Sequence, residues 1–247
     1  MIQAFHAVYR RELAAYFQTP LAYVFLAVFA FSAPAFAFHV GRFFDTNRAD
    51  LAPLFDYMPW LLVVLMPALA MRSWAEERDR GTLEFLMSLP IPLWASAAGK
   101  FAAAWTVAAA AIALTAPMWI AVNYLGEPDN AAIATGYLGT LLLAGAYLAV
   151  GQALSATTAN QVVAFVLGTG AAFLLTMAGL PFVLAALGAN APAAVSEFVA
   201  GLSALDHYNA FRHGVIGLAD LVYFAGLIAV SLIIAGVLVA ERRGGGR

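Results

Sequence analysis

The chain has 247 residues, of which 64% are hydrophobic and 11% are charged, and its formal net charge is −2. Soluble domains are about half apolar and about one quarter charged, so this composition excludes an ordinary soluble domain and indicates a membrane protein. The chain contains no cysteine, which excludes disulfides and thiolate metal sites.

Residues 1–18 predict an amphipathic helix lying in the membrane interface. Apolar side chains recur there at helical spacing, and two arginines and a glutamate at positions 10–12 interrupt them. An apolar run over residues 21–40 follows. Because this run is longer than the core of a secretory signal peptide, we expect an uncleaved membrane span.

Six apolar runs meet the length requirement of a membrane-spanning helix, which is about 20 residues. The predicted spans are residues 21–40, 57–71, 97–122, 133–156, 162–187 and 218–240. The fifth run contains Gly179, Leu180 and Pro181, which predict a break near its outer end. The expected fold is therefore an all-α membrane protein forming a single transmembrane domain over residues 1–247.

Charge predicts the orientation of these spans. With six spans, nine Lys and Arg residues fall on the side of the two termini and three fall on the other side. Positive charge is retained on the cytoplasmic side of a membrane. We therefore expect both termini in the cytoplasm. Residues 190–217, between the fifth and sixth spans, then lie outside and predict one or two short amphipathic helices dipping into the outer interface.

The predicted spans carry no Asp, Glu, Lys or Arg in their cores. Transporters driven by ion gradients keep ionisable groups at membrane depth, so an energy source outside the spans is favoured. Residues 94–101 come near to a P-loop but lack its first glycine and its Ser or Thr, which leaves no phosphate cradle. Lys100, within this segment, is predicted to anchor the third span at the interface.

Residues 72–90, between the second and third spans, form the longest charged stretch. Charged residues 76–80 are expected to continue the second span as a helix, and Gly81 to end it with a positive φ. Thr82 is a candidate N-cap for a second, short helix with apolar residues on one face, stopped by Pro90. We interpret this region as a docking element. The alternative is a solvated loop.

At this region the chain resembles a known family. Residues 77–90, ERDRGTLEFLMSLP, are similar to the E-(x)-R-x-x-G-T-x-E-x-L-x-x-x-P signature of ABC-2 type transporter permeases. The similarity is greatest to the subgroup related to the gliding-motility and nitrous-oxide-reductase maturation transporters. Residues 205–216, LDHYNAFRHGVI, resemble the outer motif of that subgroup.

The resemblance implies a permease subunit of an ATP-driven transporter of exporter type in the bacterial inner membrane. Two permeases, identical or different, pair to form the pathway. Each contacts a separate cytoplasmic ATPase, which binds ATP and Mg, while this chain binds no cofactor and is not itself an enzyme. An accessory subunit is a further candidate partner, and no nucleic acid is expected. The residues assigned to the ATPase contact are Glu76, Glu77, Arg78, Gly81, Thr82, Leu83, Glu84, Leu86, Met87 and Pro90.

Other polar residues leave alternatives open. Gln152 and Ser155, on the fourth span among small residues, are candidates for lining the substrate pathway, against the alternative of packing between helices. His39, His207 and His213 suggest a metal site only weakly, because neither cysteine nor a close histidine pair accompanies them. As a competing function, the chain could be a non-transporting anchor or assembly subunit that docks a cytoplasmic partner through residues 72–90. An intramembrane enzyme is ranked last, because the spans lack a catalytic pair.

Overall fold

The structure, a computed structural model, describes residues 2–44, 49–83, 92–188 and 192–241. All regular secondary structure in these ranges is helical. In chain order the helices are α1 (Ile2–Gln18), α2 (Pro20–Ala35, continued by a π-helical turn over Phe36–Val40), α3 (Ala52–Ala70), α4 (Arg72–Asp79), α5 (Leu93–Ala113), α6 (Ala116–Leu125), α7 (Asn130–Ser155), α8 (Gln161–Met177), α9 (Pro181–Gly188), α10 (Ala193–Gly201), α11 (Ala204–Arg212) and α12 (Leu218–Glu241).

Five helical stretches in the described ranges are long and apolar enough to cross a membrane. Two of them extend beyond the predicted spans: α4 continues α3, as expected for residues 76–80, and α6 continues α5 with little interruption. The all-helical membrane fold is thereby confirmed. The five stretches are Pro20–Val40, Ala52–Asp79, Leu93–Leu125, Asn130–Ser155 and Leu218–Glu241.

The fifth predicted span, residues 162–187, is divided in the structure. Helix α8 has 17 residues, or about 25 Å at 1.5 Å per residue, which is less than the hydrocarbon thickness of about 30 Å. Pro181 begins the next helix, α9, and cannot continue the hydrogen bonding of α8 because it has no N–H. The break lies where the sequence predicts it, and the count of six spans stays a prediction.

Helix α7 lies at the centre of the bundle, with 72% of its most apolar window buried. It packs against α3, α5, α8, α11 and α12. Glycines allow these close approaches: a Cβ on Gly139 would lie 2.5 Å from Phe211 Cβ, and a Cβ on Gly151 would lie 2.9 Å from Ala70 Cβ. The small residues of this span therefore serve helix packing.

The segment between α9 and α12 contains two helices of different character. Helix α10 leaves Val195 and Phe198 exposed, as expected for an amphipathic helix dipping into the outer interface. Helix α11 is capped by Ser203, whose side chain accepts the backbone N–H of Asp206. It then buries Tyr208 and Phe211 in the bundle. The second of these helices is thus part of the core.

Candidate functional site

Charged side chains gather at one end of the bundle, where α1, α4, the first turns of α5 and the last turn of α7 meet. We refer to this place as the charged end, and to residues 72–82 as the arm. An open cavity of about 380 Å³ lies there between α1 and the arm. It is lined by Arg11, Glu12, Ala15, Tyr16, Arg72, Ser73, Glu76, Glu77, Arg80, Thr82 and Lys100.

Lys100 connects three helices at the charged end. Its side chain is only 3% exposed, and its Nζ lies 3.1 Å from Glu12 Oε1 on α1 and 2.8 Å from Glu77 Oε1 on α4. The ammonium also lies 5.1 Å from the centre of the Trp74 ring. Arg11 bonds to both glutamates, at 2.5 Å and 3.3 Å. A buried ammonium is costly unless it is paired, so these contacts hold α1, the arm and α5 together.

A second set of ion pairs lies beside the first. Glu76 accepts from Arg72 Nε at 2.8 Å and from Arg80 Nη2 at 2.7 Å, so both of its oxygens are occupied. Arg72 also donates to the Thr19 hydroxyl at 3.2 Å and lies 5.6 Å from the centre of the Tyr16 ring. This set joins the base of the arm to the end of α1.

The charges of this cluster change two pKa values. Burial acts to raise the pKa of Glu12, but the charges of Lys100 and Arg11 outweigh it and hold that pKa below its ordinary value. Burial acts to lower the pKa of Arg11, but the hydrogen bonds and charges of Glu12 and Glu77 outweigh it and raise that pKa. Both groups therefore stay charged at neutral pH.

The arm ends as the local sequence predicts. Gly81 has a φ of +67°, and the N–H of Thr82 bonds to the carbonyl of Glu77 at 2.9 Å, which closes the last turn of α4. The Thr82 hydroxyl donates to the same carbonyl. Residues 79–82 are all exposed, and Arg80 has 68% of its side chain exposed. The tip of the arm is thus open to a partner.

The residues assigned to the partner contact have different surroundings. Glu76 and Glu77 bond within the chain, Arg78 is partly buried, and Leu83 packs with Trp74 in a small apolar cluster. Only Gly81 and Thr82 among the described members are exposed. The remaining assigned residues, Glu84, Leu86, Met87 and Pro90, lie outside the described residues.

Gln152 and Ser155, the candidate pathway residues, are buried and bond to backbone groups. Gln152 Nε2 donates to the Ala97 carbonyl at 2.9 Å. The Ser155 hydroxyl donates to the Met71 carbonyl at 3.0 Å. Both side chains thus join α7 to a neighbouring helix, and a role in the pathway stays a prediction.

Sequence reasoning did not assign Arg11, Glu12 or Lys100 to this site, and it placed Arg72 in the docking region, residues 72–90, without counting it among the contact residues. Arg11 and Glu12 were interpreted as part of an interface helix, and Lys100 as an anchor. One signal was available: Lys100 is an isolated charge in the apolar run of residues 93–113. Such a charge needs a partner wherever the run is buried. The partners of Lys100 could be identified only from the packing of three helices.

The three histidines considered for a metal site each contact different groups. His207 Nδ1 lies 2.6 Å from Asp220 Oδ1, and its ring stacks on Tyr223 at 4.0 Å between centroids. His213 and His39 each contact a carbonyl in their own helical turn. No group of three or more His, Asp or Glu side chains within the described ranges is arranged to hold a metal ion.

Comparison with known proteins identifies the family. The profile described as "ABC-2 family transporter protein" matches residues 4–240, which is nearly the whole chain. No curated protein matches the chain. The matched segment includes the arm, α5, α7 and all of α1 except its first two residues, and thus nearly all of the charged end. The chain therefore belongs to the ABC-2 family of transporter membrane proteins.

Proposed function

We propose that this chain is the permease subunit of an ATP-driven exporter, coupled to a separate ATPase at the charged end. The observation that carries the coupling is the arm: a charged helix that directly follows a membrane span and ends in four exposed residues beside an open cavity. A helix of this kind can be displaced by a partner and can pass that displacement to the span. The family match supports the presence of an ATPase partner.

The proposal includes an orientation and an assembly. The charged end faces the cytoplasm of the bacterial inner membrane, in agreement with the excess of Lys and Arg there. Helices α8 and α9 together form one span, which makes six. Two permeases form the pathway, and ATP and Mg bind to the ATPase. The proposed type within the family is the subgroup of gliding-motility and nitrous-oxide-reductase maturation permeases.

The surroundings of the assigned residues decide which substitution tests the contact. Glu77 is a poor choice, because its replacement would disturb Lys100 inside the chain. Arg80 is better, because its side chain is mostly exposed and its ion pair is with Glu76, one turn earlier on the same arm. A charge reversal at Arg80 should repel an acidic partner without opening the core.

The experiment is co-purification of the ATPase with the tagged permease, followed by measurement of ATP turnover. Arg80→Glu should lower the recovered ATPase by roughly tenfold, equivalent to about 1.4 kcal/mol. The matched control is Glu127→Lys, a charge reversal at an exposed position between α6 and α7. Equal recovery with both variants would contradict a contact at the arm.

Transport is tested separately from docking. Cells lacking the permease are compared with complemented cells by untargeted mass spectrometry of intracellular solutes. An exporter predicts that at least one solute accumulates without the permease and falls on complementation. A complex that binds the ATPase but changes no solute would favour the anchor or assembly alternative.

A further inference from the structure

The junction between α3 and the arm contains a side chain from a distant helix. In one uninterrupted helix the N–H of Trp74 would bond to the carbonyl of Ala70, four residues earlier, but α3 ends at Ala70 and α4 begins at Arg72. Here the Ser155 hydroxyl takes the place of that acceptor. Its Oγ accepts from Ala75 N at 3.1 Å and donates to the Met71 carbonyl at 3.0 Å. It also accepts from Trp74 N at 2.9 Å.

The local sequence gives no other reason for an interruption at this place. Residues 68–75, ALAMRSWA, contain neither glycine nor proline. Met71 itself keeps right-handed helical angles, with φ −56° and ψ −35°. Insertion of a side chain into the hydrogen-bond ladder is a recognised cause of helix bending. The interruption therefore comes from neighbouring helices: the Ser155 hydroxyl enters from α7, and the Tyr16 hydroxyl of α1 donates to the Leu69 carbonyl at 3.0 Å.

Close packing holds the serine in this position. Ser155 is the last residue of α7 and is fully buried. One turn earlier, Gly151 brings the backbone of α7 against α3, since a Cβ there would lie 2.9 Å from Ala70 Cβ. A small shift of α7 relative to α3 would be enough to withdraw the hydroxyl, because hydrogen bonds weaken steeply with distance and angle.

We propose that Ser155 is a positioning residue that sets the angle between the arm and the second span. With the hydroxyl inserted, the Met71 carbonyl and the two N–H groups are satisfied by α7. With the hydroxyl withdrawn, the N–H of Trp74 bonds to the Ala70 carbonyl and the N–H of Ala75 to the Met71 carbonyl, as in one uninterrupted helix. Both arrangements give the two N–H groups an acceptor, so the junction has two discrete arrangements.

The consequence is a connection between α7 and the arm in both directions. Displacement of the arm changes the fit of Ser155, and movement of α7 changes the direction of the arm. The inference rests on the proposed function only in that the arm contacts an ATPase. Its geometric part concerns the permease alone.

The test uses pulsed electron paramagnetic resonance on the purified permease. The chain contains no cysteine, so two introduced cysteines carry the only spin labels. One pair is Asp79 at the arm tip with Val162, an exposed residue at the start of α8. The control pair is Val64, exposed on α3, with Val162. A change of about 20° at the junction would move the far end of α4, which has eight residues, by about 4 Å.

Ser155→Ala should shift the Asp79–Val162 distance by a few ångströms and leave the Val64–Val162 distance unchanged. Ser155→Thr, which keeps the hydroxyl, should behave as the unmodified protein. Gly151→Ala provides an independent variant, because it pushes α7 away from α3 with the hydroxyl intact, and it should reproduce the shift. Identical Asp79–Val162 distances in all four proteins would overturn the inference.

The complex with the co-purified ATPase gives a second readout. Ser155→Ala should retain the ATPase but lower ATP turnover several-fold, and Ser155→Thr should restore it. Unchanged turnover together with an unchanged label distance would remove the role of Ser155. Failure of the unmodified permease to recover any ATPase would count against the proposed function, while the label distances would still decide the role of Ser155.

Discussion

The hydroxyl of Tyr208 donates to the carbonyl oxygen of Phe55 at 3.1 Å, across 153 positions of sequence. That carbonyl lies inside α3, where its regular donor would be the N–H of the residue four positions later. This residue is Pro59, which has no N–H. Helix α11 thus provides the hydrogen bond that a proline removes from α3.

This hydrogen bond predicts that the effects of substitutions at Tyr208 and Pro59 on the stability of the protein are not additive. Tyr208→Phe should destabilise the protein by about 1–3 kcal/mol, because it leaves a buried carbonyl without a donor. In a Pro59→Ala background the helix restores its own donor, and the same substitution should cost markedly less. Unfolding in detergent of the four proteins of this double-mutant cycle measures the difference. A cost of Tyr208→Phe that is equal in both backgrounds would contradict the assignment.

Loss of the charge at Lys100 should lower the stability of the protein more than a change in the shape of this side chain. Lys100→Met leaves Glu12 and Glu77 partly buried with Arg11 as their remaining shared cation, and it should cost about 3–5 kcal/mol. Lys100→Arg keeps the charge and should cost less. The control is Arg10→Met, an exposed cation on α1, expected to change stability by less than about 0.5 kcal/mol. Shifts in Tm provide the comparison, and equal shifts for Lys100→Met and Arg10→Met would show that Lys100 does not hold the three helices together.

The lowered pKa of Glu12 predicts a loss of stability in acid. A carboxyl whose folded pKa lies below its unfolded pKa stabilises the fold fully above the unfolded value, about 4.3. That contribution is lost as pH falls through the folded value. The Tm difference between the unmodified protein and Glu12→Gln should therefore be largest at neutral pH and shrink below about pH 4. Glu127→Gln, at an exposed position, should give no such trend.

Two glycines of neighbouring helices should respond oppositely to the same substitution. Gly139→Ala places a methyl group 2.5 Å from Phe211 Cβ and should destabilise the protein by about 1–3 kcal/mol by displacing α11. A Cβ on Gly170 would have no atom of the described residues within 4 Å, so Gly170→Ala should be neutral or stabilising by up to about 1 kcal/mol. Unfolding of both variants under identical conditions checks this; similar effects at both sites would contradict the packing of α7 against α11.

Features that depend on near neighbours in the chain could be predicted from sequence. The end of α4 at Gly81 follows from the need for a positive φ. The break before Pro181 follows from its missing N–H. At the candidate site, the helical arm ending at Gly81 was predicted, and Glu77 was assigned to the partner contact; the structure shows that Glu77 bonds to Lys100, and the partner contact stays a prediction. The sequence could not predict which face of the charged helix packs against the bundle, because either face of a short charged helix can do so.

By itself the sequence determined that this is a helical membrane protein of the ABC-2 type, because apolar run length, helix-ending residues and the signature at residues 77–90 are local properties. Only the tertiary structure decided how the polar groups are paired. Lys100 meets Glu12 and Glu77, Ser155 enters the backbone ladder at Met71, and Tyr208 replaces a donor missing at Pro59. The physical reason is common to all three. A buried polar group must find a partner, and in a helical bundle that partner comes from a neighbouring helix whose position depends on the packing of the whole chain.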